Sequence, residues 1–159
     1  MGVANDGGHG GGRDADLETV HLLRRVTVEL VLAQAEFARR NGMHGTDVRA
    51  LICLLDAERA GTPATPGRLG AELGLNSAGT TAVIDRLERL GHVERLRDQT
   101  DRRRVRLRVS RAAVALGESF FGPLIGGTVE LLRGMDDTEA AAVRRFLSGV
   151  SELARRPAP

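Results

Sequence analysis

Pro66-Gly67-Arg68-Leu69-Gly70-Ala71-Glu72-Leu73-Gly74-Leu75-Asn76-Ser77-Ala78-Gly79-Thr80-Thr81-Ala82-Val83-Ile84-Asp85-Arg86-Leu87-Glu88-Arg89-Leu90 decides the fold. It reads as two short helices joined by a tight turn. Thr65 caps the first, with Pro66 at its first position, where a missing N–H is harmless. Leu69 and Leu73 face inward, Gly74 makes the turn and Leu75 packs beneath it. Asn76 or Ser77 caps the second helix, expected over 77–90. Val83, Ile84, Leu87 and Leu90 recur on it at helical spacing and form an anchoring stripe. Its start, Ser77-Ala78-Gly79-Thr80-Thr81, is small and polar enough to approach base edges.

The next twenty residues complete the plan. Gly91 ends the helix, and a strand follows over 92–97. Its partner, Arg104-Val105-Arg106-Leu107-Arg108-Val109-Ser110, alternates strictly. Val105, Leu107 and Val109 are expected in the core, and Arg104, Arg106 and Arg108 toward solvent or phosphate. Asp98 to Arg103 form the turn. The net charge of +2 carries no message, but its distribution does. From Arg86 to Arg111 ten arginines stand against Glu88, Glu94, Asp98 and Asp101, a local balance of +6. A helix-turn-helix followed by an arginine-rich hairpin is the plan of a winged helix that binds double-stranded DNA. Every basic residue of the chain is arginine, the better fork for phosphate and guanine.

Outward from this centre, residues 1–13 are glycine-rich and aperiodic and read as a disordered tail. A long helix is expected from Asp14 to Arg40, stopped by Asn41-Gly42, within an N-terminal region of 14–45. The DNA-binding region spans 46–110. It opens with a helix capped by Thr46 that runs to Ala60, with Val48, Leu51, Ile52 and Leu55 on its core face. A C-terminal region, 111–159, carries two more helices. Gly122-Pro123 should kink or interrupt the first, and Asp136-Asp137-Thr138-Glu139 is a capping-box-like start for the second. Val143, Phe146, Leu147, Val150 and Leu153 line the last helix. The fold class is thus mainly α with a small β-hairpin, a winged helix-turn-helix flanked by N- and C-terminal dimerisation helices. A single such domain fits 159 residues.

Other chemistries find little support. No apolar run is expected to span a membrane, and the N-terminus lacks the apolar core of a secretory signal, so the chain is expected in the cytoplasm. A lone cysteine excludes an internal disulfide framework. Four histidines without a compact ligand spacing argue against a metal, and no cofactor is expected. No paired carboxylates, nucleophile triad or phosphate loop supports an enzyme. Cys53 lies on the small-residue side of its helix with only Arg49 within a turn to lower its pKa, which favours a structural thiol over an oxidant sensor.

The chain from Thr46 to Arg111 resembles the MarR family of bacterial transcriptional regulators. The strings that carry the likeness are Leu69-Gly70-Ala71-Glu72-Leu73-Gly74-Leu75, Thr80-Thr81-Ala82-Val83-Ile84-Asp85-Arg86-Leu87-Glu88-Arg89-Leu90-Gly91-His92-Val93-Glu94-Arg95 and Asp98-Gln99-Thr100-Asp101-Arg102-Arg103. The resemblance implies a homodimer whose terminal helices interlace, and a repressor released by a small aromatic or anionic effector. Broad apolar faces on the flanking helices agree independently with an isologous interface. The alternatives are an oxidant-sensing regulator acting through Cys53 and a winged helix used for protein contact.

These readings assign residues. Ser77, Ala78, Gly79, Thr80 and Thr81 are expected to contact base edges and phosphates in the major groove, with Ser77 also capping. Arg102 or Arg103 enters the adjacent minor groove. Arg95, Arg97, Arg104 and Arg106 attract phosphate. Arg86 belongs to the same basic surface, and by analogy with the family Asp98 or Asp101 pairs with it. His21, His44 and Arg49 are the candidates to meet an effector carboxylate. An aromatic pocket has only Phe37, Phe120, Phe121 and Phe146 to draw on, since Trp and Tyr are absent.

Overall fold

A computed structural model describes residues 10–97 and 105–156, with side chains from Gly12 onward. Among them the order is α1 (Gly10–Arg40), α2 (Gly45–Arg59), α3 (Pro66–Leu73), α4 (Ser77–Arg89), β1 (Val93–Arg97), β2 (Val105–Val109), α5 (Arg111–Arg133) and α6 (Asp137–Arg155). Six helices and one antiparallel hairpin make the expected mainly α winged helix-turn-helix. The elements α1 to β2 form one compact unit, and α5 with α6 forms a second.

In the first unit α2, α3, α4 and the hairpin share one core. Val48, Leu54, Leu69, Ile84, Leu87 and Val93 are buried there. The strands pair with Val93 opposite Val109 and Arg97 opposite Val105. The Leu107 N–H donates to the Ala64 carbonyl at 2.8 Å, which ties the α2–α3 loop to β2. Leu107 and Val109 are buried as expected, but Val105 is exposed. It is the first residue of β2, opposite Arg97, the last residue of β1. Glycines close α3 and α4: Gly74 and Gly91 hold φ of 67° and 73°, a backbone region costly for residues with a Cβ.

Two boundaries differ from the expectation. His44, not Thr46, takes the N-cap position of α2, and Asp47 three residues on accepts from the His44 backbone N–H at 2.8 Å. Along α2, Val48, Leu51, Leu54 and Ala57 turn inward while Ile52 is exposed and Leu55 half-buried, so the core face is not the expected one at these two positions. α1 begins at Gly10, inside the stretch read as a tail; residues 1–9 lie outside the described residues. Only its last turn, at Phe37 and Ala38, is buried.

In the second unit α5 runs unbroken through Gly122-Pro123, so the expected interruption is absent. Phe120 and Phe121 meet edge-to-face with ring centroids 4.8 Å apart. Ala113 is the buried residue of α5, and α6 has none. The expectation that no stretch could span a membrane is corrected: α5 is long and apolar enough by length and composition, at a mean hydropathy of 1.3. At the start of α6, Asp136 accepts from the Glu139 N–H at 2.8 Å, and Glu139 accepts from the Asp136 N–H at 2.9 Å. This is the capping box read from the sequence.

Candidate nucleic-acid interface

The second helix of the helix-turn-helix is set by three local devices. Asn76 caps it, its side-chain oxygen accepting from the Gly79 N–H at 2.9 Å. Ser77, one of two candidates for that role, is instead the first helical residue and is exposed. Gly70 of α3 is buried against α4. A Cβ there would stand 2.5 Å from the Thr80 hydroxyl oxygen and 3.3 Å from the Leu75 carbonyl oxygen, so only glycine lets the helices approach this closely. Val83, Ile84 and Leu87 bury the inner face almost completely.

This packing divides the expected contact residues. Ser77, Ala78 and Thr81 are exposed at the N-terminal end of α4, and Gly79 is half-buried. Ser77 and Thr81 line a cavity of about 150 Å³ that Pro66 and Gly67 border from α3. Thr80 is turned inward. It is 4% exposed and its hydroxyl donates to the Asn76 carbonyl at 2.9 Å, so it serves the elbow while bordering the same cavity. Thr80 lies on one helical stripe with Val83, Ile84 and Leu87, a periodicity that marked it as an inner residue.

Arg86 is anchored from within the lobe. It reaches across to α2 and grips Asp47 with two nitrogens, Nε to Oδ2 at 2.7 Å and Nη2 to Oδ1 at 2.5 Å. Asp47 is fully buried. Burial pushes its carboxyl up, but the Arg86 fork and the His44 N–H outweigh that and hold it below the ordinary carboxylate range. The same bonds raise the Arg86 guanidinium. Two donors of Arg86 are therefore committed inside the protein, to the bond between α2 and α4. The expected partners Asp98 and Asp101 lie outside the described residues, and nothing local in the sequence signalled Asp47, 39 residues away.

On the hairpin, Arg95 is also tied down, by Asp85 and Glu88 of α4. The Asp85 bond is the main cause of its raised pKa. These pairs brace β1 against α4 and reduce what Arg95 offers to a phosphate. Arg108 pairs with Glu94 across the strands at 2.6 Å. Arg97 and Arg106 are exposed beside them. Arg102, Arg103 and Arg104, the expected wing-tip contacts, lie outside the described residues. The structure thus joins an exposed small-residue helix start to a basic hairpin, at opposite ends of one braced helix.

The remaining candidates are scattered. His21, His44 and Arg49 are all exposed, and neither the α3–α4 cavity nor a groove of about 370 Å³ between α2 and the hairpin is lined by them. Phe37 is buried, while Phe146 is 42% exposed. Cys53 is half-buried. Burial pushes its thiol up and Glu72 of α3 adds to the effect, which outweighs Arg49. The sequence placed Arg49 near this thiol but could not show Glu72. Among the described residues no group of three or more His, Cys, Asp or Glu side chains is arranged to hold a metal ion.

Comparison with known proteins agrees with this arrangement. The MarR family model matches residues 41–104, the span from the start of α2 into the wing. An uncharacterized HTH-type transcriptional regulator of Bacillus subtilis, YcgE, is 31% identical over 134 residues, covering 84% of each chain. The chain belongs to the MarR family. As a MarR-family transcriptional regulator it shares its fold with solved relatives. A mutant of MepR from Staphylococcus aureus superposes with a TM-score of 0.69 at 15% identity, over 86% of this chain and 97% of that one. A MarR family protein from Bacillus stearothermophilus gives 0.62 at 24% identity, over 91% and 98%. The S. aureus MepR–DNA complex gives 0.56 at 15%, over 86% and 99%.

Proposed function

We propose that this MarR-family chain is a sequence-specific double-stranded DNA-binding regulator, a repressor that acts in the cytoplasm as a homodimer on a pseudo-palindromic operator. The observation that carries the reading is the exposed start of α4, Ser77-Ala78 and Thr81, on a helix braced from both sides by Arg86–Asp47 and Arg95–Asp85. Such a helix presents small side chains to the major groove at a fixed angle. MepR, which shares the fold, is known in complex with DNA. Ala78 and the Thr81 methyl meet thymine methyls or base edges, and the Ser77 hydroxyl meets phosphate. Arg97, Arg104 and Arg106 add phosphate attraction, and Arg102 or Arg103 enters the minor groove.

The homodimer draws support from apolar side chains left in solvent within each unit: Val26, Val31 and Leu32 on α1, and Ile125 and Leu131 on α5. Exposed apolar residues in such number fit a partner-facing surface. It also supplies a use for α5 other than a membrane. Release by a small aromatic or anionic effector completes the proposal, with His21, His44 and Arg49 as carboxylate partners. An oxidant response through Cys53 is the lesser reading, since the surroundings of the thiol disfavour the reactive thiolate.

The test is a salt titration of binding to the duplex upstream of the protein's own gene, against a scrambled duplex. Tighter binding to the former, falling steeply with salt, is the expected result. Arg103→Ala should weaken it and reduce the salt slope by about 1 without lowering the melting temperature. Absence of duplex binding at low salt overturns the proposal and brings forward a protein-contact role.

A further inference from the structure

Among the described side chains, one buried nitrogen has no hydrogen-bond partner: Nδ1 of His92. Such atoms are uncommon because the lost hydration is not replaced. Its position gives the anomaly meaning. His92 follows Gly91 where α4 hands over to the wing. Its backbone N–H donates to the Leu87 carbonyl of α4 at 2.8 Å, and its carbonyl accepts from the Ser110 N–H at the end of β2 at 2.9 Å. The ring therefore stands at the joint between the exposed helix and the hairpin.

The charges around it are few. From α2, the negative charge of Asp47 favours the protonated imidazole, and His44, whose backbone N–H donates to that carboxylate, is a second titratable group beside it. From α4, Arg86 holds that same carboxylate. From the wing, Ser110 brings an N–H and a hydroxyl that donates to the Gly91 carbonyl at 2.8 Å, neither of them titratable. The nearby acids Glu88 and Glu94 are held by Arg95 and Arg108.

We propose that His92 is a positioning residue for α4, acting through the Asp47–Arg86 pair, and that it makes DNA binding proton-sensitive; this rests on the DNA-binding reading above. A neutral ring leaves both carboxylate oxygens to Arg86. A proton taken from solvent adds a second cation to the field of Asp47 and leaves a charged, half-buried ring whose buried Nδ1 has no acceptor. The charged state is relieved only by opening the joint to water or by turning the carboxylate away from Arg86. Either change loosens α4 from α2 and shifts the base-facing residues relative to the wing. Burial holds the imidazole below its ordinary value, with Asp47 pulling the other way, so the ring is neutral at neutral pH. Its contribution is complete above the unfolded value of about 6.5 and is lost as pH falls through the lower folded value.

Two measurements test this. At constant ionic strength, affinity of the wild-type protein for the upstream duplex should fall on the order of tenfold between about pH 7.5 and about pH 5.5, while His92→Gln and His92→Asn stay flat. All three are compared by thermal melting at the higher pH, so that a misfolded variant is recognised. Parallel pH profiles in wild type and a folded variant overturn the proposal. The second measurement needs no DNA: in NMR titrations the Arg86 Nε–H resonance should move with protonation of His92. An Arg86 signal indifferent to that titration overturns the proposal as well. Loss of duplex binding at the higher pH would count against the DNA-binding reading alone.

Discussion

The helix-turn-helix and the long helices around it are built from the same aliphatic residues and use them in opposite ways. In α2 to α4, Val48, Leu54, Leu69, Ile84 and Leu87 are buried. On α1, Val26, Val31 and Leu32 are 55%, 57% and 58% exposed, and on α6 Leu147 and Leu153 are 51% and 62% exposed. The difference is one of geometry. Short helices joined by Gly74 and Gly91 fold back on one another, so each finds partners within the chain. A helix of 31 residues extends about 46 Å at ~1.5 Å per residue, and α1 touches the core only through its last turn. The helix-turn-helix is self-sufficient, while the flanks carry surface whose burial requires something further.

Four changes test that contrast, from the largest expected effect down. Asp47→Ala strands the half-buried Arg86 guanidinium and should cost about 3–5 kcal/mol of stability in urea unfolding. A loss near zero would mean the lobe does not depend on this pair. The wild type should also lose stability in acid where Asp47→Asn does not. The carboxyl lies below its ordinary value in the fold, so its contribution is present above about pH 4 and lost as pH falls through the folded value.

Leu131→Ser comes next. The residue is 72% exposed, so a solitary protomer should not notice the change. A dimer that buries it should lose about 1.5–3 kcal/mol per subunit, seen as a melting temperature that drops on dilution. Melting independent of both concentration and the substitution would remove Leu131 from any interface.

Gly70→Ala places a methyl against Thr80 and should cost about 1–3 kcal/mol and weaken duplex binding together with stability. Unchanged stability would show that the elbow can give. Asn76→Ala removes only the cap of α4 and should cost about 1 kcal/mol, read from thermal melting. A loss as large as that of Asp47→Ala would place the weight of the lobe on the cap and not on the ion pair.

Much of the lobe was legible because its signals are local. Pro66 after Thr65, Gly74, Gly91 and the alternation of β2 each act within a few residues, and each stands where the pattern put it. The contact residues were less legible. Polarity alone grouped Thr80 with Ser77 and Thr81, whereas its helical phase aligned it with Val83 and Ile84. Charge alone counted Arg86 and Arg95 as phosphate seekers, although partners on α2 and α4 claim both. Val105 continued a perfect alternation, yet at the first position of β2 it is left exposed.

The sequence by itself determined the starts of α3 and α6 and the glycine stops of α3 and α4, the order of helix-turn-helix and wing, the excess of arginine beside it and the family to which these strings belong. Those follow from backbone preferences and periodicities that need only neighbouring residues. Tertiary structure alone decided which polar side chains remain free. Asp47 meets Arg86, Glu72 meets Cys53, and His92 Nδ1 meets no partner, because helices distant in sequence are brought together by a shared apolar core. A hydrogen bond between such helices depends on where that core sets them, and the core is a property of the whole lobe.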